Sequence, residues 1–391
     1  MKHFLARTLN TSFFCLFSAS LVAVSFCANS LQADSSPSPA KPAKRSILVG
    51  GIFDLSAAGK DFGIAEKNGV LLAIDDFHKR QSKIEIKLQV EDSRYSSNQA
   101  VTAFQKLTSI DKAQFILGPT WEVCAATVPL CESSHTLCLF PSCNSGLFGA
   151  SELRFSYSFW FDDLAYGSAL ANFAKENKLQ RTALVSATSA YHERVSTGFL
   201  DALPSAPEYD QRVDPSTKDF RSLIAKMPAK LDALAVFLLG DGSLQAFLRQ
   251  WAELRPERPV LLSDDALLYA KPAFDLKAAG FPAAHCSQPS LDQAAAQVFA
   301  TKYKQRFNAE PPAPSAAIAY DAASMLFQCL EFHEPAQPAD IAACIESISL
   351  PQGASGAIGF SGEHQLRSRV VEVGSCGPLV AASSSKLKIQ S

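Results

Sequence analysis

The sequence predicts an α/β protein made of two doubly wound, Rossmann-like lobes. Three observations predict it. Short apolar runs alternate with segments of helical periodicity. The alternation restarts near residue 165. The 391 residues, 47% of them hydrophobic, are more than one small core needs. Strand-helix alternation with short connections places parallel strands beneath helices on both faces. Ligands of such sheets bind at the carboxyl ends of the strands, which here are the loops 54–59, 118–122 and 141–145.

The N-terminus comes first and reads as an export signal over residues 1–33. Lys2 and Arg7 give a basic start, Phe13 to Phe26 an apolar stretch, and Leu31-Gln32-Ala33 a cleavage triplet before Asp34. The apolar stretch is shorter than the roughly 20 residues of a spanning helix. A lipid anchor at Cys27 is the alternative, disfavoured by the bulk of Phe26. Residues 34–45 are rich in Ser, Pro, Ala and Lys and are expected to form a disordered leader. The mature protein is therefore placed in the periplasm.

The first lobe follows. Ser46 to Phe53 is an apolar strand. Val70, Leu71, Ile74 and Phe77 line one face of a helix. Ile84, Ile86, Leu88 and Val90 alternate with polar residues, which is a strand with one wet face near a sheet edge. A helix carries Val101, Phe104 and Leu107. Gln114 to Leu117 is a strand, a helix runs to about Ser133, and Leu137 to Phe140 is a buried strand.

The series then repeats. Helices are expected near 165–176 and 193–200 and strands at Thr182–Ser186, Ala233–Leu239 and Val260–Leu262. Ser216-Thr-Lys-Asp219 is expected to act as a capping box for a helix through Met227. A further helix spans Leu244–Leu254. Three helices near 293–307, 316–332 and 338–347 and two short strands near 357–360 and 370–373 complete the chain.

Charge and motifs exclude several functions. Lys and Arg total 36 against 38 Asp and Glu, a net charge of -2, and no basic block is present. Nucleic-acid binding is excluded on that ground. The sequence holds no Gly-x-Ser-x-Gly, no phosphate loop and no His-Glu-x-x-His, so an enzyme and a cofactor are not expected.

Ten cysteines are present; Cys15 and Cys27 precede the cleavage triplet. The others form an even set, which an oxidising compartment permits to pair. Cys131, His135, Cys138 and Cys143 are potential zinc ligands, but Cys138 falls within a buried strand. Disulfides or buried thiols fit better. Cys124 and Cys143 lie in adjacent loops, and Cys329 and Cys344 on consecutive helices, so each pair is a candidate. Cys124 and Cys131 are about 10 Å apart along a helix axis, too far to bond.

Several segments, taken in order, resemble the type I periplasmic binding proteins, specifically the leucine/isoleucine/valine-binding group that serves ABC transporters. Leu48-Val-Gly-Gly-Ile-Phe-Asp-Leu-Ser-Ala-Ala-Gly-Lys-Asp-Phe-Gly63 is similar to that family's first strand and loop. Asn68-Gly-Val-Leu-Leu-Ala-Ile-Asp-Asp76, Glu91-Asp92 with Asn98-Gln-Ala-Val101, Phe115-Ile-Leu-Gly-Pro119 and Leu139-Phe-Pro-Ser-Cys-Asn144 follow in register. Lys218-Asp-Phe220, Leu248-Arg-Gln250 and Gly359-Phe-Ser-Gly-Glu-His364 match later landmarks.

The resemblance implies three crossovers, near 160–165, 287 and 365. Lobe 1 is then 46–163 plus 288–364, and lobe 2 is 164–287 plus 365–391. It implies a hinge that closes on a ligand, an ABC permease as partner and a monomer. The implied function is capture of an amino acid or related amide or amine. A sensing or envelope-assembly module of the same fold is the alternative.

The resemblance also assigns site residues. Asp265 stands where the family binds an ammonium, although an N-cap is an equal reading. Tyr191 matches an aromatic that meets ligand, or is a packed ring. Ser142, Cys143 and Asn144 match a loop that grips ligand, Ser142 and Asn144 with a carbonyl and a side-chain group; turn chemistry alone explains them too. Phe62 matches a pocket wall or packs in the core. Trp121 and Glu122 stand where the family has serines. Either Glu122 points away, or the ligand presents a cation or amide to it. Trp121 can stack on a flat or cationic group. Gly240 stands where the family often has an aromatic. His192 is the one histidine near this site, as a ligand contact or a solvated residue.

Overall fold

The computed structural model describes residues 44–376, except 58–59, 81, 144, 149–151, 239, 258, 265–280, 282, 312–313, 361–363, 365 and 367–369. The export signal, Cys27 and most of the expected leader lie outside these residues. Arg45, assigned to the leader, opens the first strand instead.

Two sheets organise the chain. The first contains β1 (Arg45–Phe53), β2 (Ile84–Asp92), β3 (Phe115–Leu117), β4 (Leu137–Phe140) and β5 (Ser156–Ser158), all parallel, in the order β2-β1-β3-β4-β5. Period-two alternation divides its side chains. Phe115, Leu117, Leu137 and Leu139 face one core with Val70, Ile74 and Phe77 of α1 (Lys60–Lys79). Ile116, Cys138 and Phe140 face the other, with Phe104 of α2 (Ser97–Gln105) and Cys131 of α3 (Val128–Ser134). β2 is an edge strand, as its alternating pattern requires.

The second sheet contains β6 (Thr182–Ala187), β7 (Tyr209–Val213), β8 (Ala233–Phe237), β9 (Val260–Ser263), β10 (Ala284–Pro289) and a final strand, β13 (Val371–Ser375). Its order is β13-β10-β9-β8-β6-β7. Read from its own first strand, the order is again second-first-third-fourth-fifth, the doubly wound arrangement. Leu184, Phe237 and Leu262 face α4 (Asp163–Glu176) and α5 (Ala190–Ala202) through Leu170, Val195 and Phe199. Val185, Leu234 and Val236 face α6 (Arg221–Lys226) and α7 (Gln245–Leu254) through Ile224, Phe247 and Trp251.

The remaining helices are α8 (Gln293–Phe307), α9 (Ser315–Phe332) and α10 (Pro338–Ser347). Ile318, Leu326 and Leu330 of α9 join the core of the first sheet. β11 (Ser349–Gly353) and β12 (Gly356–Gly359) form an antiparallel hairpin, held by Asp321, whose carboxylate accepts from the Ala354 and Ser355 amides, both at 2.7 Å.

Several expectations are corrected. β13 pairs antiparallel with β10, so the second sheet is mixed. β5, β7, β10 and β11 have no apolar alternation to reveal them. β5 is three residues long, and β10 buries Ser287 and Gln288 among its pairs. The capping box does not form: α6 begins at Arg221, whose amide meets Asp219 Oδ1 at 3.1 Å, while Ser216 bonds back to Asp214. Beyond α2 the chain continues as a π-helical turn, Lys106–Ile110, that seats Leu107 in the core.

The eight cysteines pair completely. Cys124–Cys143 and Cys329–Cys344 form as expected. Cys131–Cys138 ties α3 to β4, and Cys286–Cys376 ties β10 to the residue after β13. The thiolates a zinc ion needs are thereby consumed.

Candidate functional site

The switch point of the first sheet lies between β1 and β3, where neighbouring connections leave in opposite directions. Asp54 ends β1 there and is buried. It accepts from the Tyr95 amide at 2.8 Å, from the Thr120 hydroxyl at 2.5 Å and from the Ser93 hydroxyl. One carboxylate thus joins the carboxyl ends of β1, β2 and β3. Asp92 repeats the device nearby, accepting from the Leu55 and Arg94 amides, each at 2.9 Å, and from the Ser56 hydroxyl at 2.6 Å. Burial pushes its carboxyl up, but these donors outweigh burial and hold it below the usual range.

Backbone proximity makes this arrangement possible. Gly118 has φ +92, and a Cβ there would strike the Ile52 carbonyl. A Cβ at Gly63 would overlap the Asp54 backbone, so only glycine lets α1 start against the end of β1.

That contact brings Glu66, one turn into α1, beneath the rim. Its side chain is 0% exposed, and neither carboxyl oxygen has a hydrogen-bond partner. Burial drives its carboxyl well above the usual range, Ser142 acts against that shift, and the Asp54 charge adds to it. Ser142 is 1% exposed and its hydroxyl is likewise unpartnered. Ser142 is thus the hydroxyl that faces the Glu66 carboxyl, too far or too bent for a hydrogen bond of ordinary geometry.

Ser142 and Cys143 lie in the loop that follows β4. Cys143 is locked to Cys124 in the loop after β3, and its carbonyl accepts from Ser158 at 3.2 Å. Phe62 is half-buried on the first turn of α1. Trp121 and Glu122 open a 3-10 turn, Trp121–Ala126, on the same rim; their side chains lie outside the description. Asn144 lies outside the described residues.

In the second lobe, β6 ends at Ala187 and Ser189 caps α5. Tyr191 is half-buried, edge-on to Tyr166 at 6.3 Å and to His192 at 5.0 Å. His192 is 2% exposed rather than solvated. Its Nδ1 lies 2.7 Å from the Ser189 hydroxyl and its Nε2 3.6 Å from Asp264, at the end of β9. Burial pushes its imidazole down to about 4, so the ring is neutral at pH 7. Asp265, the residue after Asp264, lies outside the described residues.

The two rims meet. A Cβ added at Gly146, in the loop after β4, would lie 2.8 Å from Cδ of Arg194 on α5. Arg194 is held from behind by Asp162 at 3.2 Å and Asp163 at 3.9 Å. Sequence reasoning overlooked Asp54, Glu66, Thr120 and Arg194 as a set. Glu66 was legible in principle, because it lies four residues from Phe62 and so on the same helix face.

No group of three His, Cys, Asp or Glu is placed to hold a metal among the described residues. No described helix is long and apolar enough to cross a membrane. A cavity of about 310 Å³ is lined by Val298, Phe299, Lys302, Tyr320, Gln352 and Ala354, none of them a predicted site residue.

Solved structures share this architecture. Leucine-binding LivK of Thermotoga maritima is 21% identical, covering 84% of this chain and 95% of its own, with a TM-score of 0.68. LivJ of Streptococcus pneumoniae, solved with isoleucine, is 17% identical over 84% of this chain and 100% of its own, at 0.69. A solute-binding protein of Rhodopseudomonas palustris, solved with 3,4-dihydroxybenzoic acid, is 16% identical over 85% and 98%, also at 0.69. At such identities the likeness concerns the fold. No curated protein matches. Residues 46–375 do match the family described as periplasmic binding protein, and this chain, with its two doubly wound sheets and facing strand-end rims, belongs to that family in its type I form.

Proposed function

We propose that the protein is an extracytoplasmic solute-binding protein that holds a small polar ligand between its lobes and delivers it to an ABC importer. The observation that carries this reading is the seam at Gly146 and Arg194, where the loop after β4 of one sheet meets the helix after β6 of the other. Lobe 1 is taken as 46–163 plus 288–364 and lobe 2 as 164–287 plus 365–391. The relatives solved with isoleucine and 3,4-dihydroxybenzoic acid support a ligand of that size. The rim residues Phe62, Trp121, Glu122, Ser142, Cys143, Asn144, Tyr191 and Asp265 are its proposed contacts. Enclosure by two lobes removes apolar surface from water while a few fixed polar groups set orientation. The reading is binding without chemistry, in the periplasm, by a monomer whose partner is a membrane permease.

Thermal unfolding in the presence of amino acids, amides, polyamines and aromatic acids tests this. A ligand at 100 times its Kd adds about 2.7 kcal/mol of stability. The reading fails if no compound of these classes raises the transition. Asp265→Asn is expected to cost about 1.5–3 kcal/mol of binding if Asp265 meets an amine, and unchanged affinity removes it from the site.

A further inference from the structure

We propose that Glu66 and Ser142 form a receptor in lobe 1 for a protonated primary amine of the ligand, so that lobe 1 takes the cationic end of that molecule. This rests on the solute-binding reading. Two buried groups face each other, the Glu66 carboxyl and the Ser142 hydroxyl, and among the described residues neither has a hydrogen-bond partner of ordinary geometry. Together they offer three acceptors, and an ammonium carries three donors and no acceptor. The neighbourhood is negative as well. Asp54 adds its charge, and no cation among the described residues offsets it at Glu66.

A ligand carboxylate would meet the negative charge of Asp54 here, with the Ser142 hydroxyl as a single side-chain donor toward it. The Thr120 hydroxyl, which follows Gly118-Pro119, is committed to Asp54. That donor, which would greet an anion, is therefore turned inward, while the acceptors of Glu66 and Ser142 that would greet a cation are unengaged. Ser142 lies in the loop after β4, whose Gly146 approaches Arg194 at the interlobe seam. Parting of the lobes at that seam opens the route to it.

Arrival of an ammonium next to a buried acid favours the charged carboxylate, so whatever proton burial holds on Glu66 is released to solvent on binding. Isothermal titration of the mature chain at pH 7, in two buffers of different ionisation enthalpy, reads both affinity and protons. The probes are n-butylamine and cadaverine, which carry amines alone, isoleucine, which carries both groups, and benzoate, which carries a carboxylate alone. The expected result is release of up to about one proton per amine-bearing ligand. Glu66→Gln is expected to abolish that release and weaken amine-bearing probes tenfold or more, and to leave benzoate unchanged. Ser142→Ala, a milder change that keeps the carboxyl, weakens the same probes by a smaller factor. Binding of benzoate alone, or equal binding of an amine by the wild type and Glu66→Gln, overturns the receptor and leaves the solute-binding reading standing. Failure of every probe counts against both.

Discussion

The two lobes repeat one topology and finish it with opposite chemistry. In lobe 1 a carboxylate at the switch point, Asp54, is saturated by donors from three strand ends. In lobe 2 the carboxylate at the end of β9, Asp264, lies 3.6 Å from a histidine that burial keeps neutral. Lobe 1 also cross-links its rim loops through Cys124–Cys143, whereas the disulfide of lobe 2 fixes a sheet edge instead. A shared strand order thus sets where a rim is, and side chains decide whether it is rigid, negative or titratable.

The largest expected effect breaks the knot in lobe 1. Asp54→Ala would strand two buried hydroxyls and an amide, each costing about 1–3 kcal/mol, so a loss of about 3 kcal/mol or more is expected in urea unfolding. A loss below about 1 kcal/mol would show that the three strand ends do not depend on it. Next comes the cross-link. The Cys124→Ser, Cys143→Ser double variant opens a loop with a sequence separation of 19, for which chain entropy gives about 3 kcal/mol. Proteolysis should then begin in the loops after β3 and β4. Cleavage elsewhere first would deny the rim its special rigidity.

Lobe 2 should reveal itself through pH. The His192 imidazole is held below its usual value of 6.5, at about 4. The unfolded chain therefore binds a proton before the folded one does. Stability is full above pH 6.5, falls as pH drops and levels off below about 4. At 1.36 kcal/mol per unit the loss is on the order of 3 kcal/mol. His192→Gln should flatten that part of the curve. A variant with the wild-type slope would assign the loss to other groups.

Much of this frame was legible in the sequence. Runs such as Ile47 to Phe53 and Leu137 to Phe140 are buried on both faces, and continuous apolar character announces them. β7 escaped because Tyr-Asp-Gln-Arg-Val is a polar edge strand, and β10 because its buried residues include the polar Ser287 and Gln288. The rim loops were found from their place after strands. The polar set beneath them was not, because Asp54, Glu66, Thr120 and Ser142 are far apart in sequence and only the packing of Gly63 against Asp54 assembles them.

Glu66 sharpens the comparison through the smallest and oppositely signed effect. Its carboxyl is raised, so the folded state favours the neutral acid. That preference is fully present below the unfolded value near 4.5 and is lost as pH rises through the folded value. At neutral pH, then, Glu66 opposes folding. Glu66→Gln keeps the shape and removes the titration, so at pH 8 it should raise the melting temperature by on the order of 1–3 °C. Below pH 4.5 the gain should vanish, since both side chains are then neutral amide-like acceptors with a donor. A gain that persists unchanged into acid would place its origin in packing, and a loss at pH 8 would mean that a cation within the protein already pairs with Glu66.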